Sequence, residues 1–247
     1  MEQSFAIELS GVSKIFRPVL WKKPLVALRD INWHVLEGEI ALLLGPNGSG
    51  KSTLLNILVG LLSPTHGKAK LYGLAANLSS SRKKIGFLPA HFIFPPFLNA
   101  KEILAFYAKL SSIKPLPEKI EKLLDLVELR EKALLPISAY SQGMKQRLGL
   151  AQALIHDPKL LILDEPTAGL DPLGLNWLFD LFLKLKQSGT TILFTSHLLT
   201  HVDTIVDRIA FIHSGNLFQS FPWSSNNRRT VITPLEKLYF RAMRNFS

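Results

Sequence analysis

"IALLL" at 40–44 runs straight into "GPNGSGKST" at 45–53, and no other stretch of the 247 residues limits the fold so tightly. Five apolar residues in succession suit a strand buried on both faces. The segment beyond reads as a helix through Leu58, closed by Gly60. A buried strand joined to a helix by a glycine-rich turn is a signature of α/β folds. The turn itself, from Gly45 to Ser52, fits G-x-x-x-x-G-K-[ST]. Such a loop needs its glycines because the backbone must curl until successive N–H groups point inward at phosphate oxygens, a path that a Cβ would block. The helix that starts near Lys51 adds its positive end. The expected phosphate-binding set is therefore Gly45, Pro46, Asn47, Gly48, Ser49, Gly50, Lys51, Ser52 and Thr53, with Lys51 reaching the β- and γ-phosphates and Ser52 ligating Mg²⁺.

Further strand texture appears at "AIEL", in the alternation of Ile31, Trp33 and Val35, and at "KAKLY" and "IGFL". From about residue 91 the texture turns helical. Asn99 and Glu102 have capping-box spacing ahead of "AKEILAFYAKL", "PEKIEKLLDLVEL" keeps its apolar residues at helical intervals, and Ser141 opens "QGMKQRLGLAQALI". Strands return at "KLLIL" (159–163), "TTILFT" (190–195) and "RIAFI" (208–212). The pattern is a parallel-type sheet interrupted by a helical insert of roughly 60 residues, longer than an ordinary loop.

A second chemical element is "LLILDEPTAGLD", where four apolar residues carry a strand out to Asp164 and Glu165. Ligands of α/β sheets sit at the carboxyl ends of strands. There Asp164 would hold Mg²⁺ through water, and Glu165 would orient the attacking water or take its proton. The competing reading is an acidic helix cap leading into a turn. A third element, "TSH" at 195–197, also ends a strand, and His197 there would bond the γ-phosphate or hold the water and Glu165 in place. The other six histidines, His34, His66, His91, His156, His201 and His213, have no metal-site spacing and read as structural.

Composition narrows the class further. With 47% hydrophobic residues the chain can bury a full-sized core, yet charges interrupt each apolar run before the length of a membrane span. The first ten residues have no secretory pattern, and the lack of cysteine removes disulfides and thiolate metal sites. A net charge of +10 favours anionic partners without choosing among nucleotides, nucleic acid and acidic lipid. Residues 222–247 read as a basic tail with a short amphipathic helix, which suits a membrane surface or a solvated one equally.

Taken in order, the phosphate loop, the helical insert, "YSQGMKQR", "LLILDEP", "AGLD" and "TSH" resemble the nucleotide-binding subunit of ATP-binding cassette (ABC) transporters over about residues 5–220. "YSQGM" at 140–144 looks like that family's LSGGQ signature and matches it at Ser141 and Gly143. The resemblance implies a P-loop NTPase with a RecA-like core, a mainly parallel sheet, an N-terminal antiparallel β-subdomain and a helical signature subdomain. It would divide the chain into a cassette at 1–221, with 1–89 and 156–221 as β-subdomain and core and 90–155 as helical subdomain, and the tail at 222–247. It implies Mg²⁺-dependent ATP hydrolysis, with Glu165, His197 and Lys51 catalytic. It also implies head-to-tail pairing with a second cassette, so that Ser141, Gly143 and the amides opening their helix contact the partner's γ-phosphate while Asp171 of "AGLD" touches the partner. An ordinary N-cap is the alternative for Ser141. Either Phe16 or Trp21 would stack on adenine.

The same resemblance implies a separate transmembrane permease and a peripheral position on the cytoplasmic face of the inner membrane. "YSQGMKQRLGLAQAL" and "LLILDEPTAGLDP" favour cassettes of ABC-2 type exporters. No specific nucleic acid is expected. The alternative is a soluble ABC ATPase acting on nucleic acid, ribosomes or iron–sulfur assembly, and a third reading is a cassette that binds ATP without turnover. One departure stands out: Ala90 of "GFLPAH" occupies the place where relatives carry glutamine or glutamate, so weaker coupling to the permease, with hydrolysis retained, is expected. The aromatic run "HFIFPPFL" after it suits either a cleft for a permease helix or the core of the helical insert.

Overall fold

Every residue of "IALLL" is buried, because this strand lies in the middle of a sheet covered on both faces. The computed structural model describes residues 4–17, 23–114, 117–196 and 202–223. In chain order, β1 (Phe5–Phe16) and β2 (Leu25–Leu36) lead to β3 (Ile40–Leu44) and helix α1 (Lys51–Leu58). Then come β4 (His66–Leu71), β5 (Leu74–Ala75), a short α2 (Ser79–Arg82) and β6 (Ile85–Leu88). Helices α3 (Ala100–Leu110), α4 (Pro117–Leu126) and α5 (Gln142–Leu154) separate β6 from β7 (Leu160–Leu163). The described chain finishes with α6 (Pro172–Gln187), β8 (Thr191–Ser196), β9 (Arg208–His213) and β10 (Asn216–Pro222).

Six strands form the main sheet in the order β10-β9-β3-β8-β7-β6, parallel except for the β9–β10 pair. β2, β1, β4 and β5 form a separate antiparallel sheet. This is the α/β class expected from the sequence. Strand alternation divides the core in two. Ile40, Leu42 and Leu44 pack with the residues of α3 to α6, while Ala41 and Leu43 pack with α1 and the antiparallel sheet. The register brings Leu88, Leu163 and Phe194 side by side, and Leu44 beside Ser196 and Phe211. The loops that follow β3, β6 and β7 therefore gather at one edge of the sheet. At the opposite edge Arg208 forks onto Glu39 (2.8 and 2.9 Å), and Asp207 accepts from Ile40 N (2.8 Å), which pins the starts of β3 and β9 together.

Some local expectations hold in detail. Gly60, just beyond α1, has φ 73°, the left-handed conformation that ends a helix. Asn99 accepts from Glu102 N (3.1 Å) and Glu102 bonds back to Asn99 N (2.9 Å), so α3 begins with the capping box. Asn99→Ala removes half of that exchange. It should cost about 1 kcal/mol and lower the melting temperature by about 2–4 °C in a thermal scan, with no change in nucleotide affinity.

Other expectations need correction. "AIEL" is only the start of a twelve-residue strand, and β2 begins at Leu25 rather than near Ile31. Register shifts between Leu9 and Lys14 break the alternation that would have revealed the full hairpin. β10, α2 and β5 carry no clear periodicity in the sequence. Of the run "HFIFPPFL", Phe94 is buried in the core, whereas Ile93 and Phe97 are 93% and 78% exposed, so the run is core only in part. Among the described residues no helix is long and apolar enough to cross a membrane. Trp21, His197, His201 and residues 224–247 of the expected tail lie outside the described residues.

Candidate functional site

The loop after β3 crosses other backbone so closely that glycine is required at two places. A Cβ on Gly45 would lie 2.3 Å from Ile212 O, and one on Gly50, whose φ is 109°, would lie 2.7 Å from Ala27 O. Gly48, with φ 77°, has nothing within 4 Å of such a Cβ and faces open space. Between them the turn leads directly into α1, whose first residue is Lys51. The Lys51 side chain is folded back over the loop, donating to Gly45 O (2.7 Å) and Pro46 O (3.3 Å), and its Nζ stands 3.6 Å from Glu165 Oε1. Ser49 Oγ is buried and has no hydrogen-bond partner among the described residues.

Asp164 and Glu165 follow β7, and one side chain from β8 sets them both. The Thr195 hydroxyl donates to Asp164 Oδ1 (2.7 Å) and accepts from Glu165 N (2.8 Å). Glu165 has φ 52°, a left-handed conformation that costs a non-glycine residue roughly 1–2 kcal/mol. The Thr195 bond holds the backbone in that state. Neither acid caps a helix, since the N-cap of α6 is Asp171, which accepts from Gly174 N (2.7 Å). The helix-cap reading of the two acids is therefore excluded.

These groups share one cavity of about 810 Å³. Its floor is Asn47 to Thr53 with Asp164 and Glu165, and one wall is Ala90 and His91. Ala90 thus lines the cavity and offers it no polar side-chain atom. At the other end Phe16, Leu25, Val26 and Ala27 make an apolar wall, with Arg29, Ser214 and Gly215 beside it. Phe16 and Leu25 are cross-strand neighbours in the β1–β2 hairpin, and Lys14 Nζ lies 5.2 Å from the Phe16 ring centre. The cavity has a basic, amide-lined end and an apolar end, the division a nucleotide requires. Residues fit for a divalent cation are present too: the Ser52 hydroxyl at the cavity, and an Asp164 carboxylate whose Oδ1 is oriented by Thr195.

Ser141 and Gly143 stand apart from this cavity, on a second surface of about 490 Å³ lined also by Gln142, Met144, Gly169 and Asp171. Ser141 caps α5, its Oγ accepting from Met144 N (3.2 Å), so the N-cap geometry weighed for it is real. The hydroxyl hydrogen remains a donor toward the surface. Tyr140 just before it is anchored by donating to Lys132 O (2.9 Å), and burial pushes its pKa up, so it stays a neutral donor.

Several contacts have no counterpart in the motifs. Thr195 stands in "TSH" beside His197, yet it orients both acids. On α5, Gln146 Nε2 donates to Pro166 O (3.0 Å), and the Arg147 guanidinium sits 4.1 Å from the Trp177 ring centre on α6. A Cβ on Gly169 would meet Gln142 Cγ at 2.7 Å, so α5 also lies directly on the "AGLD" turn. The one available signal was the polar side chains at helical spacing on α5.

The ABC transporter family matches residues 28–168. An uncharacterized ABC transporter ATP-binding protein, YxlF of Bacillus subtilis, is 43% identical over 193 residues, covering 77% of this chain and 64% of its own length. A similar uncharacterized protein of Synechocystis, sll0415, is 40% identical and covers 88% of this chain, and the aligned part spans 63% of that relative. The bacitracin transport ATP-binding protein BcrA of Bacillus licheniformis is 37% identical over 81% of this chain and 66% of its own. The match thus spans just under two thirds of the length of these relatives. Among solved structures, the dimeric ATP-binding cassette MJ0796 in a post-hydrolysis state bound to ADP and Pi superposes with a TM-score of 0.80 at 27% identity, covering 89% of this chain and 99% of that one. Family, fold and the phosphate loop agree, and the chain belongs to the ABC transporter family as a nucleotide-binding cassette.

Proposed function

We propose that this chain binds ATP with Mg²⁺ in the cavity beside Lys51 and Glu165, hydrolyses the β–γ linkage, and energises export through a separate membrane permease. The observation that carries the reading is the convergence of Lys51, Asp164, Glu165 and Thr195 at one sheet edge. Inward-facing amides of Gly48 to Thr53 and the Lys51 ammonium hold the β- and γ-phosphates. Ser52 and Asp164 would hold the cation, which would supply positive charge to offset that on the phosphate oxygens. Glu165 takes the proton of a water whose oxygen attacks the γ-phosphorus. The bond to the bridging oxygen breaks, and ADP and phosphate leave. His197 steadies the γ-phosphate, and Phe16 stacks on the adenine.

A second cassette completes the assembly, with Ser141 and Gly143 turned toward its nucleotide and Asp171 toward its surface. The dimeric MJ0796 cassette supports this arrangement. Residues 90–155 form the lobe that meets the permease, and Ile93 and Phe97, exposed on that lobe, suit a hydrophobic contact with it. Such docking places the chain peripherally on the cytoplasmic face of the membrane. Two relatives have names that state a transported cargo, bacitracin for BcrA and phospholipid for ABCA3 of Homo sapiens, which supports the transport reading; export rests on the likeness to ABC-2 type cassettes.

The test is phosphate release by the purified protein with Mg²⁺ and ATP, beside Glu165→Gln. Equal rates for the two would remove the role given to the carboxylate. Ala90 bears on coupling rather than chemistry, because it adds no polar side chain to a wall shared with both acids. Ala90→Gln should therefore alter stimulation of the ATPase by the co-reconstituted permease more than it alters the basal rate. Stimulation identical to that of the native chain would place the coupling elsewhere on the wall, with His91 the adjacent candidate.

A further inference from the structure

Glu165 is held in a left-handed backbone conformation, and a group that is held implies groups that hold it. Thr195 secures its N–H side. On the carbonyl side the peptide chain continues into Pro166, which has no N–H to offer. From the helical side, Gln146 Nε2 donates to Pro166 O at 3.0 Å. Gln146 is 3% exposed, and a buried amide is expensive to leave unpaired. Beyond Pro166 the segment turns tightly on itself, with Ala168 N donating to Glu165 O (3.1 Å) and Leu170 N to Thr167 O (3.3 Å). These bonds tie residues 165–170 into one compact turn.

Resting on the proposed role of Glu165, we infer that Gln146 is a positioning residue for it: helix α5 fixes the segment carrying the carboxylate through the Gln146–Pro166 bond. Gln142, one turn earlier on the same face, rests on Gly169 at the far end of that segment, so α5 touches it at two points. Ser141 and Gln146 ride on one rigid helix, and a displacement of its N-terminus reaches Pro166 directly. Gln146 is not itself one of the residues that line the nucleotide cavity.

Gln146→Met keeps the length of the side chain and removes the donor. Its kcat should fall about tenfold, because small misplacements of a reacting group cost that much or more, while the equilibrium affinity for ATP, read by nucleotide fluorescence, stays at the native value. In the Glu165→Gln background the same substitution should cause no further loss. A native rate for Gln146→Met overturns the inference, and so does an equal fractional loss in both backgrounds. A Glu165→Gln variant as fast as the native chain would instead overturn the functional reading, so the two failures are distinguishable. Gln146→Glu gives an independent readout: its carboxyl donates to Pro166 O only when protonated, so its rate relative to the native chain should rise as pH falls. A ratio independent of pH would show that the donor does not matter.

Discussion

Glu165→Gln should lower the steady-state ATPase rate about 10²- to 10³-fold, within the range expected for removing a general base, and leave ATP binding intact. The substitution preserves shape and the bond from Glu165 N to Thr195, because that bond is made by the backbone. What it removes is the proton acceptor, together with the charge facing Lys51 Nζ at 3.6 Å. Loss of that charge leaves Lys51 freer to turn toward phosphate, so the affinity for ATP should hold or rise. A decrease of 10²- to 10³-fold corresponds to about 2.7–4 kcal/mol of barrier. Phosphate release and nucleotide binding measured on one preparation separate the two quantities. The reading in which the cassette binds ATP without turnover makes the opposite forecast, a native chain as slow as the variant.

What the sequence made legible follows the range of the interactions. The phosphate loop was readable because its chemistry is contiguous: Gly45, Gly50 and Lys51 do their work within one turn and one helix. β3 and β7 were readable because strands buried on both faces leave unbroken apolar runs. The β1–β2 hairpin was only half visible, since its bulges disrupt the period of two that marks a strand. The apolar end of the cavity shared that fate. Leu25 lines it only because the hairpin register sets it opposite Phe16, a pairing no local pattern encodes. The acids at 164 and 165 were identified by their place at a strand end, but what orients them lies about 30 residues away in sequence, on a strand. Thr195 and Gln146 are ordinary residues in their own segments and acquire a role only when β8 and α5 pack against the loop after β7.

Thr195 therefore supplies the sharpest test of how the fold builds the site. It is fully buried, and its hydroxyl is bonded on both sides, donating at 2.7 Å and accepting at 2.8 Å. Thr195→Val keeps the shape, the β-branching and the strand preference, so backbone propensity and packing stay nearly constant. Both bonds vanish, leaving a buried carboxylate oxygen and a partly buried N–H without their partner, at about 1–3 kcal/mol for each group. The melting temperature should drop by about 2–4 °C per kcal/mol. Turnover should fall further than stability alone would explain, by about 10²-fold, because Asp164 loses its orientation and the strained Glu165 backbone loses its bond to Thr195. Half-maximal activity should also require more Mg²⁺. Thr195→Ser restores the hydroxyl at the cost of one buried methyl, and it should recover most of the rate while remaining about 1 kcal/mol less stable than the native chain. If the valine and serine variants are equally active, the threonine only fills space, and the acids are oriented by the strand end itself.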